Sequence, residues 1–277
     1  MKFIFLVAAA IISQGVFAYI PEYALITSRA ADQHGKGGFQ IEQDVTFRRD
    51  SEVYTVKEIW TVLNENNLRV TLEGRDVLRG AVQGSIIFEG SQKTFIDGTA
   101  LKNQRLGEDW LEPLLHFRSS KYLRSRLVNL KVTPPESLRD RGPLNFEGPP
   151  KYEPVSFVRL SRTGGAVNYA IGISPAVGSG PTLWIEQDQF VVRKFKGASG
   201  VVMKADNYAK FDDGLWFPRV ISYTFGGFNI TVNVTSVKSL GQITTNDNRF
   251  KTSSLTAANA LKLPDSDALR EFYSRFR

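Results

Sequence analysis

Residues 39–74 read FQIEQDVTFRRDSEVYTVKEIWTVLNENNLRVTLEG, and this stretch decides the fold class. Phe39, Ile41, Val45 and Phe47 occupy odd positions, Tyr54, Val56, Trp60 and Val62 even ones, and Leu68, Val70 and Leu72 step by two again. An apolar residue at every second position marks a strand with one buried face and one wet face. The links Arg49-Asp50-Ser51 and Asn64-Glu65-Asn66-Asn67 are short and polar, so the neighbours are expected to pair as antiparallel hairpins. Glu58 falls on the same face as Tyr54, Val56, Trp60 and Val62. A carboxylate there seeks a cation or a proton, through a structural ion pair or a bulge that turns it outward.

The two-residue step continues on both sides. Strands are expected at 81–89 and 93–96, then at 155–161, 167–173, 182–186, 190–195, 201–208, 215–225 and 228–237, giving five before a central helical region and seven after it. Gly164-Gly165 and Gly226-Gly227 supply the positive φ angles of tight hairpins. Helical periodicity appears at 22–32, at 108–127 and at 265–277, the last carrying Leu269, Phe272, Tyr273 and Phe276. Pro113 sits near the start of the central helix, where a first-turn position or a kink accommodates it.

Composition narrows the chemistry. The 277 residues hold 35 Lys and Arg against 28 Asp and Glu, are 42% hydrophobic, and include no cysteine. Global disorder, disulfides, thiolate nucleophiles and Cys-ligated metal are thereby excluded. His34 and His116 are the only imidazoles and show neither metal spacing nor an acidic partner at a diagnostic step. No phosphate loop, nucleophile elbow or zinc-protease fingerprint is present, so neither an enzyme nor a cofactor nor a bound metal is expected.

Lys2, the apolar run 3–12 and Val16-Phe17-Ala18 read as a cleavable signal peptide over 1–18, which predicts export to the periplasm. Residues 19–277 are then expected to form one domain with a proline-rich insertion at about 128–154, where Pro134-Pro135, Gly142-Pro143 and Gly148-Pro149-Pro150 fall. Arg118, Lys121, Arg124, Arg126, Lys131, Arg139 and Arg141 form a basic group suited to transient contact with an anionic membrane surface, and export argues against nucleic acid.

So many alternating strands with so few helices predict a strongly curved antiparallel sheet, either around a packed aromatic core or around a ligand cavity. One ordered set of residues carries a resemblance. Leu183-Trp184-Ile185-Glu186, then Val192-Arg193-Lys194-Phe195, Tyr208, and Asp213-Gly214-Leu215-Trp216-Phe217-Pro218-Arg219-Val220 resemble the second half of the outer-membrane lipoprotein carrier family, the LolA/LolB-like periplasmic proteins. The resemblance implies a mainly β fold with α elements: a half-open antiparallel barrel with a helical lid over an apolar cavity. It also implies a non-enzymatic carrier that shelters lipid or lipoprotein acyl chains during outer-membrane lipoprotein sorting. Phe47, Tyr54, Val56, Trp60, Val62, Val70 and Trp184 on strands, with Trp110, Leu111, Leu114 and Leu115 on the lid, are the expected ligand-binding residues. An outer-membrane β-barrel or a structural envelope protein is the alternative, though the interior helix and proline-rich interruption count against a barrel.

Overall fold

The first strand expected from the sequence, β1 (Gly38–Arg49), turns into β2 (Glu52–Asn64) and then β3 (Asn67–Gly74), as the hairpin signals require. The computed structural model describes residues 20–49, 52–139, 157–174 and 178–277. The first meander continues through β4 (Gln83–Glu89), β5 (Gln92–Asp97) and β6 (Ala100–Arg105). The second comprises β7 (Val158–Thr163), β8 (Ala166–Gly172), β9 (Thr182–Glu186), β10 (Val192–Lys196), β11 (Val202–Lys210), β12 (Trp216–Phe225) and β13 (Phe228–Gly241).

These strands form one antiparallel sheet in the order β6-β5-β4-β3-β2-β1-β13-β12-β11-β10-β9-β8-β7. The non-local pairing of β1 with β13, for example Val45 opposite Val232, joins the two meanders along their long inner strands. The sheet does not close, because β6 and β7 are its two ends. It is a curved half-barrel with helices over its concave face. Inward positions on β1 to β3 are apolar apart from Gln43 and Glu58, whereas outward positions such as Gln40, Glu42, Asp44, Lys57, Arg69 and Glu73 are polar. A membrane barrel needs the opposite, an apolar outer band around a closed wall, so this architecture does not support that alternative.

Three helices accompany the sheet among the described residues: α1 (Tyr23–Ala31), α2 (Ser120–Asn129) and α3 (Asp267–Arg275). The central region is not the single helix expected over 108–127. Pro113 lies in a short 3₁₀ turn at Glu112–Leu115, and α2 starts only after Ser119, whose hydroxyl caps it by accepting from the Tyr122 N–H. Proline at the first turn and a serine N-cap favour two short elements over one long one. Trp110 therefore precedes both and is not on the helical lid. β6 was missed because all six of its residues are exposed, so an edge strand with two wet faces shows no apolar alternation.

β4 is buried on both faces, and the cause lies at 242–266. This coil with 3₁₀ turns runs across the outer side of the first meander as a strap. Arg69 donates to the Arg249 carbonyl and to Ser254, while Leu255 and Ala260 cover Ile87 and Ile96. Leu261 N–H donates to the Ile96 carbonyl, Lys262 pairs with Gln83, and the chain then turns inward to α3. The expected signal peptide, and the 140–154 part of the expected insertion, lie outside the described residues; 128–139 complete α2 and form a 3₁₀ turn at Pro135–Leu138.

Candidate functional site: the interior of the half-barrel

β1 and β2 each carry one polar residue in their inward series. Gln43 is the cross-strand partner of Glu58, and its amide donates to Glu58 Oε2 at 2.7 Å. Trp60 Nε1 donates to the same oxygen at 2.8 Å. Glu58 is fully buried, so its charge requires a counter-ion. Arg277, just past α3, supplies it: Nε lies 3.1 Å from Oε1 and 3.2 Å from Oε2. Arg277 Nη1 also donates to Glu112 Oε2 at 3.0 Å, and Glu112 Oε1 meets His116 Nε2 at 3.0 Å.

The arrangement is one guanidinium between two buried carboxylates. Burial alone would depress the ionisation of Arg277, but Glu58 and Glu112 raise it well above its ordinary value. Burial pushes the Glu112 carboxyl up, and the Arg277 charge with the His116 hydrogen bond outweighs it, leaving the group below its usual value. Aromatic rings enclose the cation, with the guanidinium 4.8 Å from the Phe272 centroid, 5.1 Å from Trp60 and 5.7 Å from Tyr223. The Tyr223 hydroxyl faces Arg277 and that of Tyr273 faces Glu58; burial raises both phenols.

α3 delivers this cation with an apolar cargo of its own. Phe272, Tyr273 and Phe276 are buried against Phe47, Tyr223 and Phe225, with ring centroids 4.7 to 6.1 Å apart. Lys93 of β5 holds the end of the segment. Its ammonium donates to the carbonyls of Tyr273, Ser274 and Arg277 at 3.2, 3.1 and 2.5 Å, capping a helix C-terminus with positive charge. Burial brings Lys93 down to about 8. On the outer side Arg275 Nε meets Asp109 at 2.6 Å.

Of the residues expected to line a cavity, Phe47, Val56, Trp60, Val62, Val70, Trp110, Leu111, Leu114 and Leu115 share one buried cluster, with Tyr54 packed at its margin. Trp110 stacks on Phe88 at 4.2 Å. Trp184 stands apart: Leu183 and Ile185 enter the cluster, so Trp184 points to the opposite face, where the Lys194 ammonium lies 4.7 Å from its ring. Leu269, Phe272, Tyr273 and Phe276 of α3 and its end belong to the same buried cluster. A surface cleft of about 310 Å³ beside Glu73, Arg75, Arg79 and Gln83 is polar at its rim.

Gln43, Lys93, Glu112, Tyr223, Tyr273 and Arg277 were not singled out from the sequence as site residues. His116 does have an acidic partner, Glu112, four residues before it. The basic group is partly turned onto protein. Arg118 lies 5.7 Å from the Phe39 ring, Arg126 donates to the Trp110 carbonyl at 2.5 Å, Arg124 is buried, and Arg141 is outside the described residues. His34 is buried with its ring 4.2 Å from Phe117. Its pKa falls to about 3 through burial, reinforced by the nearby His116 and Arg118.

No protein-family model matches the chain, and no curated protein matches it. Solved structures do. A LolA superfamily protein from Nitrosomonas europaea is 15% identical, with a TM-score of 0.52 over 85% of this chain and 100% of its own. A domain assigned to outer membrane lipoprotein sorting, from Vibrio parahaemolyticus, is 13% identical, with a TM-score of 0.50 over 83% and 97%. A DUF1329 family protein from Desulfovibrio piger is 8% identical, with a TM-score of 0.53 over 84% and 98%. No helix among the described residues is long and apolar enough to cross a membrane. An unclosed antiparallel sheet, an apolar concave face and helices above it, matched nearly end to end by these structures, give the chain the LolA-like fold.

Proposed function

We propose that the protein is a non-enzymatic periplasmic carrier that shelters acyl chains of lipids or lipoproteins on the concave face of its half-barrel, as in outer-membrane lipoprotein sorting. The observation that carries this reading is what fills the trough: a nine-residue helix on a strap, rather than a second sheet. The aromatic side chains of α3 occupy the place the cargo takes, and α3 withdraws when cargo binds. Removing acyl surface from water contributes about 25 cal/mol per Å², set against the burial that α3 gives up. The signal-peptide pattern at 1–18 supports the periplasm as the site of action.

The complete burial of Phe272, Phe276 and Arg277 favours a second reading, a structural envelope protein whose interior is permanently packed. Native purification from the periplasm, organic-solvent extraction and mass spectrometry separate the two. Co-purifying phospholipid or acylated peptide at near-stoichiometric amounts supports the carrier. Clean protein that also takes up no apolar fluorescent dye overturns it and leaves the structural reading.

A further inference from the structure

The site that Arg277 fills makes demands on anything that replaces it. With α3 withdrawn, Glu58 and Glu112 face the interior without their cation, and Lys93 loses the carbonyls of Tyr273, Ser274 and Arg277. His116 remains bonded to Glu112. Bare acyl chain against two buried carboxylates is strongly unfavourable, and an anionic headgroup is worse. Four buried polar atoms in this region, Gln43 Oε1, Tyr223 Oη, Tyr273 Oη and Arg277 Nη2, also have no hydrogen-bond partner among the described residues even with α3 in place. Two of these, Gln43 Oε1 and Tyr223 Oη, stay with the half-barrel when α3 leaves. The site is therefore polar beyond what α3 satisfies.

The tip of α3 meets these demands with two opposite ends of one residue. The Arg277 guanidinium sits between Glu58 and Glu112 under the Trp60 and Tyr223 rings, and the Arg277 carbonyl, with those of Tyr273 and Ser274, accepts from Lys93. A positive group beside an oxygen-rich acceptor, joined to an apolar body, is the pattern of a zwitterionic amphiphile. We propose that this interior is a headgroup site for a phospholipid of the ethanolamine type. The ammonium takes the place of the guanidinium between Glu58 and Glu112, the phosphate binds Lys93, and the acyl chain follows the course of the α3 aromatics. A primary ammonium fits better than a quaternary one, because the carboxylates and Gln43 Oε1 accept N–H donors. This inference rests on the carrier reading above and specifies its cargo.

The test is binding of single-chain lysophospholipids of equal tail length to the full-length mature protein, below their micellar concentrations, by displacement of an apolar dye. Lysophosphatidylethanolamine is expected to bind about tenfold or more tightly than lysophosphatidylglycerol, with lysophosphatidylcholine between them. Equal affinity for the ethanolamine and glycerol lipids overturns the headgroup site while leaving the carrier reading intact; failure of every lysolipid and of the dye removes the carrier reading itself. Glu112→Gln keeps the Arg277–Glu58 pair and is expected to shrink the ethanolamine preference severalfold. An unchanged preference in folded Glu112→Gln protein, checked by near-ultraviolet circular dichroism, also overturns the site.

Discussion

Arg277 Nε lies within 3.2 Å of both oxygens of Glu58, and neither side chain has any solvent exposure. The two residues lie 219 positions apart in sequence, so this contact ties the end of α3 to the second strand of the sheet. Breaking a buried pair from one side leaves a charge stranded in the interior, at a cost of about 3–5 kcal/mol. Arg277→Met is expected to destabilise the protein by that amount in urea unfolding. In a Glu58→Gln background the same change should cost clearly less, because only Glu112 of the two carboxylates is then left stranded. Additive single and double variants would show that the pair is uncoupled.

His34 makes the fold sensitive to acid. Its folded pKa of about 3 lies below the ordinary 6.5, so between those values the unfolded chain binds one more proton than the native protein. The contribution is whole above pH 6.5 and declines as pH falls, by about 1.4 kcal/mol per pH unit from this group. The difference in unfolding free energy between His34→Gln and the parent protein, followed from pH 7 to pH 5, should change by nearly that slope below pH 6.5. A constant difference across the range refutes the assignment.

The sequence made the sheet legible wherever one face is wet and one dry. Strands β1 to β3 alternate cleanly, and Gly226-Gly227 forms its hairpin with φ of 51° and 83°. Alternation was silent at β6, exposed on both faces, and could not explain β4, which the strap covers on its outer side. The polar centre was only half legible. Gln43 and Glu58 stand equally far from the 49–52 turn, so the hairpin register places them opposite each other, and that signal was available. Arg277 was not, because no local rule says which cation a distant carboxylate will recruit. The aromatic spacing of α3 indicated an amphipathic helix without saying which part of the sheet its dry face packs against.

The strap passes the start of β4 at Gly84, whose φ is 148° and where an added Cβ would lie 2.7 Å from the Leu261 Cα. Both the backbone conformation and the close approach exclude a side chain there. Gly84→Ala is expected to cost about 1–3 kcal/mol and to loosen the strap and α3 together. Hydrogen exchange should then rise at the amides of Leu261, Lys262 and Phe276, which bond to Ile96, Gln83 and Phe272. Faster exchange confined to β4 itself would separate strap from helix and remove this coupling.

Phe276 and Trp184 test whether the interior, rather than aromatic surface in general, takes up apolar molecules. Phe276 is buried against Phe225 at 4.7 Å and Tyr223 at 5.2 Å, whereas Trp184 is half-exposed on the other face beside Lys194. Phe276→Ala removes a large side chain from the trough, at about 3–5 kcal/mol of stability, and weakens the competitor that cargo must displace. Uptake of an apolar fluorescent dye, normalised to folded protein, should therefore rise severalfold. Trp184→Ala should leave uptake unchanged at a small cost in stability. Should Phe276→Ala bind no more dye than the parent while remaining folded, α3 is part of the permanent core and the carrier reading loses its entry route.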